Sequence, residues 1–473
     1  MNGNIVTEGI RKMRAFVGRG EANTQPLPLR QRERLRAQLR ECAQGTGGEV
    51  SARLRAEKLG HAYLELGDAA RHEFLRLIAL EFGPDPQEVA QAHAAYQQAV
   101  GTPCQWEAEG RLRAAMRSPR IRILTQFNAL PQGVKFLVNL RADLLRFLDK
   151  DPELSVLDRE LQARLGAWFD VGFLELQRIT WNSPAALLEK LIEYEAVHEI
   201  RSWDDLRNRL DSDRRCYAFF HPRMPMEPLI FVEVALTRAL AGSIQALLDE
   251  TAPVLPVQRA TTAIFYSISN TQAGLRGVSF GNFLLKRVID DLKRDFPRLK
   301  TFATLSPMPQ LRTWLKQDRE AWTQAFRPAD WKRIAAVHDA PASAMAVQNL
   351  IEGSDWVANG EFAAALRDPL RRLGARYLMH AKSGQQAFDP VARFHLGNGA
   401  KVERLNWLAD TSAKGLRQSF GLMVNYLYEP DAIEGNVEAY VQTGRIAASA
   451  EVRVLSKYLV EPPEASAADV AET

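Results

Sequence analysis

Cysteine is scarce in this sequence: Cys42, Cys104 and Cys216 lie far apart, with no CxxC pair. Such spacing supports neither a thiolate zinc site nor a disulfide framework, and it points to a reducing compartment, the cytoplasm. Long apolar runs are missing too. Nowhere does the chain reach the roughly 18 consecutive apolar residues that a bilayer-spanning helix needs, so no membrane partner is expected. Met1 to Phe16 mixes polar and apolar residues and lacks the apolar centre of a signal peptide. Charge of one sign is not in excess either, since 61 Lys and Arg stand against 57 Asp and Glu. A dedicated nucleic-acid binder carries a stronger basic footprint, so no nucleic-acid partner is expected. None of the eight histidines has a second His or Cys at metal-ligand spacing, and no metal is expected.

What is present is an ordinary globular composition, 46% apolar and 25% charged. The segment Pro28 to Gln44 is rich in arginine. Leu35, Leu39 and Cys42 recur there at helical spacing with Glu33 and Glu41 interleaved, which favours a solvated helix face over a basic arm. Asp85-Pro86 opens a helix through Val89, Ala92 and Tyr96. Val134 to Leu148 carries an apolar stripe of Phe136, Leu137, Leu140, Leu144, Leu145 and Leu148. Helical periodicity of this kind continues to about Ile179. The character then changes. Cys216–Phe220, Leu229–Ala235, Ala263–Ser269 and Lys300–Ser306 read as strands, and Phe283–Phe296 reads as an amphipathic helix. The expected architecture is α+β: an all-α helical bundle over 1–179, then a mixed α/β domain over 180–460. The Ala/Glu/Pro-rich tail over 461–473 is expected to be disordered.

Three patches could carry chemistry. The first runs from Ser269 to Phe283, between a strand and the start of a helix, where backbone N–H groups and the helix dipole can hold a phosphate. Gly277 and Gly281 permit close approach of an anion, Ser279 adds a hydroxyl and Arg276 adds charge. A bare glycine turn is the alternative. Neither a Walker loop nor a GxGxxG fingerprint is present. The second patch is Ser306, at a strand end in Thr304-Leu-Ser-Pro-Met-Pro309; capping a turn is the plainer role for such a serine. The third is His395, in Phe394-His-Leu-Gly-Asn-Gly-Ala400 just before an Asn-Gly turn signal; a packed core histidine is its alternative.

The order Arg276-x-x-Ser279-x-Gly281 resembles the pyrophosphate loop of the GNAT acetyltransferase superfamily, with Ser279 where that loop has glycine. Further segments resemble the malonyl-CoA decarboxylase family. They are Tyr266-Ser-Ile-Ser-x-Thr-Gln-x-Gly-Leu-x-Gly-Val278, Phe283-Leu-x-Lys-Arg-Val288, Leu305-Ser-Pro-x-Pro309, Phe394-His-Leu-x-Asn-Gly-Ala400, Asn406-Trp-x-Ala-Asp410 and Gly421-Leu-Met-x-Asn-Tyr-x-Tyr428. They occur in the family's order between about Ile179 and Tyr428.

The resemblance implies a GNAT-like catalytic domain with a mixed central sheet behind the helical domain. It implies a carbon–carbon lyase that converts malonyl-CoA to acetyl-CoA and CO2 without metal or organic cofactor, coenzyme A being part of the substrate. The family's catalytic Ser and His fall on Ser306 and His395. Its coenzyme A loop falls on Arg276, Gly277, Val278, Ser279, Phe280, Gly281 and Asn282, and a tyrosine near the site falls on Tyr428. Animal members carry an acidic residue where this chain has Ser279. Their chains can end in a peroxisomal Ser-Lys-Leu, whereas this sequence ends Ala471-Glu472-Thr473, in keeping with the cytoplasm. The resemblance also implies a homo-oligomer, expected to form through the helical domain. A histidine of near-neutral pKa would suit proton delivery to C2. Competing readings are a GNAT-type acyltransferase that uses acyl-CoA, and a non-catalytic acyl-CoA-binding scaffold.

Overall fold

The computed structural model describes residues 27–44, 49–278, 284–337 and 344–457. The segments 279–283 and 461–473 lie outside these. The chain forms two compact units. One holds 1–177 together with 218–230 and 270–281; the other holds 178–217, 231–269 and 282–473.

Up to Trp168 the described chain is helical: α1 (Leu29–Gln44), α2 (Glu49–Leu64), α3 (Asp68–Glu81), α4 (Pro86–Ala99), α5 (Gln105–Ala115), α6 (Pro119–Asn128), α7 (Gly133–Phe147) and α8 (Ser155–Trp168). In α1 the buried residues are Leu35, Leu39 and Cys42, one stripe of the helix. Its arginines lie off that stripe; Arg30, Arg34 and Arg40 are exposed, and two others find carboxylates. Arg36 forks onto Glu81, with Nε and Nη2 each 2.7 Å from an oxygen, and Arg32 pairs with Glu73 at 3.3 Å. The arginine-rich stretch is therefore a solvated helix face with two of its arginines paired. At the start of α4 the Asp85 side chain accepts the Gln87 N–H at 2.8 Å, with Pro86 in the first turn. On α7, Leu137, Leu140 and Leu144 enter a core shared with Leu39, Leu59, Phe74, Phe127 and Leu161.

The sheet strands are β1 (Glu175–Ile179), β2 (Arg214–Phe220), β3 (Ile230–Thr237), β4 (Thr262–Asn270), β5 (Thr301–Thr304), β6 (Ser306–Pro307), β9 (Lys401–Asn406) and β10 (Met423–Tyr428); β7 (Lys382–Ser383) and β8 (Gln386–Ala387) form a separate pair. The order is β1-β2-β3-β4-β5-β10-β6, with β9 also on β10. Strands β4 and β5 run parallel, and β10 runs antiparallel to β5, β6 and β9. A helical N-terminal region followed by a mixed-sheet domain is the architecture expected from the sequence. Every residue of β2 is buried, which explains why it reads as a continuous apolar and aromatic run rather than an alternating one.

Ladder pairing between β10 and the β5–β6 stretch is interrupted at one place. Leu427 and Tyr428 face Ala303 and Phe302, and Met423 and Val424 face Pro307 and Ser306. Between them, side chains stand in for the ladder. Thr304 Oγ1 accepts the Tyr426 N–H at 3.1 Å, and Asn425 Nδ2 donates to the Thr304 carbonyl at 2.6 Å. The β9–β10 register also shifts between Asn425 and Tyr426. Such irregularities re-aim side chains, and Ser306 is the first residue past this one.

Candidate active site

Ser306 and His395 are brought together. Ser306 lies on β6 and its hydroxyl donates to Thr304 Oγ1 at 2.9 Å. His395 Nε2 stands 3.0 Å from Ser306 Oγ, and His395 Nδ1 stands 2.8 Å from the Tyr428 hydroxyl. All three are buried: Ser306 is 5% exposed, His395 3% and Tyr428 2%. The imidazole stacks on the Tyr426 ring with centroids 4.6 Å apart and 27° between planes.

His395 sits in the last turn of the helix Pro390–Gly397. Asp389 caps that helix by accepting the Val391 and Ala392 N–H groups at 2.8 and 3.0 Å. Asn398 and Gly399 end it. The Ala400 N–H returns to the His395 carbonyl at 3.0 Å, and Gly399 takes a φ of +82°. A side chain there would be strained and would also meet the Ile433 carbonyl oxygen 2.4 Å away. The Asn-Gly pair is thus a helix stop, where the sequence carried a hairpin-type turn signal.

Hydrogen-bond accounting assigns the tautomer. The Ser306 hydroxyl is used as a donor toward Thr304. Its lone pairs remain to accept Nε2–H, and Nδ1 then accepts the Tyr428 O–H. Burial lowers the His395 pKa to about 3, so the ring is neutral through the whole neutral range. This corrects the expectation of a near-neutral histidine: a fully enclosed imidazole loses the water that would solvate its cation. Burial pushes the Tyr428 phenol well upward, so it too keeps its proton. The three groups form one line of neutral donors, Tyr428 to His395 to Ser306.

Of the other expected residues, Arg276, Gly277 and Val278 belong to the first unit, with Arg276 and Gly277 exposed and Val278 buried. Ser279, Phe280, Gly281 and Asn282 lie outside the described residues.

A family model described as "Malonyl-CoA decarboxylase C-terminal domain" matches residues 172–468, and one described as "Malonyl-CoA decarboxylase N-terminal domain" matches 82–169. The chain is 40% identical over 408 residues to a protein of Rattus norvegicus named "Malonyl-CoA decarboxylase, mitochondrial", covering 82% of each chain. This chain belongs to the malonyl-CoA decarboxylase family. A relative from Anser anser anser with the same name is 39% identical over 406 residues, covering 82% of this chain and 80% of the relative. The crystal structure of malonyl-CoA decarboxylase from Rhodopseudomonas palustris superposes with a TM-score of 0.80 at 42% identity, covering 89% of this chain and 99% of that one. The corresponding structure from Cupriavidus metallidurans gives 0.70 at 43% identity, covering 90% and 100%.

Membership in the malonyl-CoA decarboxylase family gives the remaining motif residues a physical reading. Thr304 and Asn425 received no role from the sequence. Thr304 shares the face of Ser306, since residues two apart on a strand do, and that spacing was the available signal. Asn425 Oδ1 accepts from Asn406 Nδ2 at 2.8 Å and from Arg404 Nε at 3.1 Å, which joins two of the family-like segments under the interrupted ladder. Asp410, from the same Asn406–Asp410 segment, instead lines a cavity of about 920 Å³ with His198, Arg201 and Lys414. That cavity contains none of Ser306, His395 or Tyr428.

Proposed function

We propose that this chain converts malonyl-CoA to acetyl-CoA and CO2, with Ser306, His395 and Tyr428 as its working group. The observation that carries the reading is the unbroken hydrogen-bonded line from Tyr428 through His395 to Ser306, in a chain about two-fifths identical to named decarboxylases. Cleavage of the bond from C2 to the carboxylate leaves its electron pair on C2, delocalised onto the thioester oxygen, as CO2 departs. Donors fixed before the reaction stabilise that charge without reorganising. The α-carbon of a thioester enolate is basic enough to take a proton from a neutral hydroxyl. Ser306 O–H delivers the proton to C2, and His395 Nε2–H restores the hydroxyl. Tyr428 holds Nδ1 so that Nε2 carries the proton, and a proton from water replenishes the line. Neither metal nor organic cofactor enters these steps. The coenzyme A diphosphate is held by the loop Arg276 to Asn282.

Incubation with malonyl-CoA and no acceptor, followed by mass spectrometry, is expected to yield acetyl-CoA and CO2. Malonyl-CoA that stays intact until an amine is added, and is then transferred to it, would establish an acyltransferase instead.

The proposed assembly is a homo-oligomer formed through the helical domain, and α4 and α5 support it. Within the chain α4 buries no residue and α5 buries only Ala108. Trp106 is 76% exposed, with Met116 and Val100 more than half exposed. An apolar set of this kind fits a second copy of the chain. Light scattering is expected to show an oligomer at micromolar concentration, and Trp106→Glu is expected to shift it toward monomer. A wild-type chain that is monomeric there would refute the assembly. The proposed compartment is the cytoplasm, supported by three free cysteines; the named animal relatives are mitochondrial. Among the described residues no helix is long and apolar enough to cross a membrane.

A further inference from the structure

Helices α7 and α8 hold the backbone that leads into the diphosphate loop. Arg141, on α7 and 2% exposed, donates from Nη1 to the carbonyl oxygens of Gly274 and Arg276, each at 2.8 Å. Its Nε donates to Asp158 Oδ1 on α8 at 2.8 Å. Gln162, also on α8, donates from Nε2 to the Gly277 carbonyl at 2.8 Å. On α7, Lys135 Nζ donates to Gln272 Oε1 at 2.9 Å and to Glu227 Oε2 at 3.0 Å.

The two glycines of this stretch are fixed by the same helices. A Cβ on Gly274 would stand 1.8 Å from the Val138 carbonyl oxygen of α7, so only glycine lets the backbone lie that close. Gly277 has a φ of +78°, and a Cβ there would meet Gln162 Nε2 at 3.0 Å. Residues 274, 276 and 277 therefore present their carbonyls to side chains of α7 and α8.

In a planar trans peptide the carbonyl and the following N–H point in opposite directions. A carbonyl of Arg276 held on Arg141 turns the Gly277 N–H away from the guanidinium. The Leu275 and Val278 N–H groups are used within the turn, on the Gln272 and Leu275 carbonyls, both at 2.9 Å. Among the described residues the Gly277 N–H has no such partner. A cation hydrogen-bonded to the carbonyl of the same peptide also polarises that N–H and strengthens it as a donor to an anion.

We propose that Arg141, assisted by Gln162, is a positioning residue for coenzyme A. It fixes the Arg276–Gly277 peptide so that its N–H faces the diphosphate. The helical domain thereby sets substrate affinity. The proposal rests on the reading of residues 276–282 as the diphosphate loop.

The test uses the full chain and three ligands: malonyl-CoA, free coenzyme A as competitive inhibitor, and S-malonyl-N-acetylcysteamine, which lacks the diphosphate. Arg141→Lys is expected to raise the KM for malonyl-CoA and the Ki for coenzyme A about tenfold, the scale of one lost charge-assisted hydrogen bond. Gln162→Ala removes a hydrogen bond at the surface, does not threaten folding, and is expected to raise both about threefold. In both variants kcat for malonyl-CoA, and kcat/KM for the truncated thioester, should stay near the wild-type values. Unchanged affinities in both variants would overturn the proposal. So would a loss on the truncated thioester as large as that on malonyl-CoA, which would mean general distortion. Gly281→Leu separates the two levels. If it weakens both coenzyme A ligands while the Arg141 and Gln162 variants do not, the loop reading stands and the role of Arg141 falls. If all three variants bind normally, the loop reading falls and takes the proposal with it.

Discussion

Changing His395 to Asn, or Ser306 to Ala, is expected to lower kcat for malonyl-CoA by about 10²-fold or more, the scale of a lost general acid–base step. The two residues are bonded at 3.0 Å and enclosed. In the proposed mechanism Ser306→Ala removes the hydroxyl that delivers the proton to C2, and His395→Asn removes the Nε2–H that restores it. The loss should hold from about pH 5 to 8, because a histidine with its pKa near 3 does not change charge there. Affinity for free coenzyme A should survive in both, since the loop proposed to hold the diphosphate contains neither residue. Near-normal turnover in both variants, measured by release of CO2, would remove these residues from the mechanism.

Arg209→Met is expected to cost about 3–5 kcal/mol of stability, the range for removing one partner of a buried ion pair. Arg209 is 1% exposed. Its Nε and Nη2 grip Asp205 at 2.8 and 3.3 Å, and its Nη1 donates to Glu233 Oε2 at 3.1 Å. Glu233, on β3, is itself 1% exposed, and burial pushes its carboxyl up to about 8 even against this guanidinium. Without the cation, Asp205 would keep only the exposed Arg201 at 4.0 Å, and the buried Glu233 carboxyl would lose the guanidinium donor it now has. Urea unfolding followed by tryptophan fluorescence measures the change. A loss below about 1 kcal/mol would mean that the carboxylates find water or each other without cost.

The helical half was legible because its information is local. Leu35, Leu39 and Cys42 bury as their spacing requires, and Asp85-Pro86 starts a helix through its own side chain. The same locality failed at Asn398-Gly399, because one dipeptide serves both hairpins and helix ends; the helix that decides between them begins at Asp389. The sequence shows β10 as a motif but not as a strand. Five of its six residues are buried, which erases the period-two signal. The meeting of Ser306, His395 and Tyr428 was not local at all. The three come from β6, a helix and the end of β10, and no spacing within any one segment encodes that. The family-like segments pointed to all three, and the folded chain supplies the distances. Arg141 was invisible for a different reason: it lies in an apolar stripe of α7, and its partners are backbone carbonyls, which leave no trace in side-chain identity.

A double substitution tests most directly whether one hydrogen-bonded unit carries the decarboxylation. The kcat of wild type, Ser306→Ala, His395→Asn and the double variant should be measured on malonyl-CoA under one condition, with saturation by substrate verified for each. Residues that serve one proton-transfer step are strongly non-additive, so the double variant should fall within about threefold of the worse single variant. A double variant whose loss equals the product of the two single losses would contradict a shared step, and with it the relay from Tyr428 through His395 to Ser306.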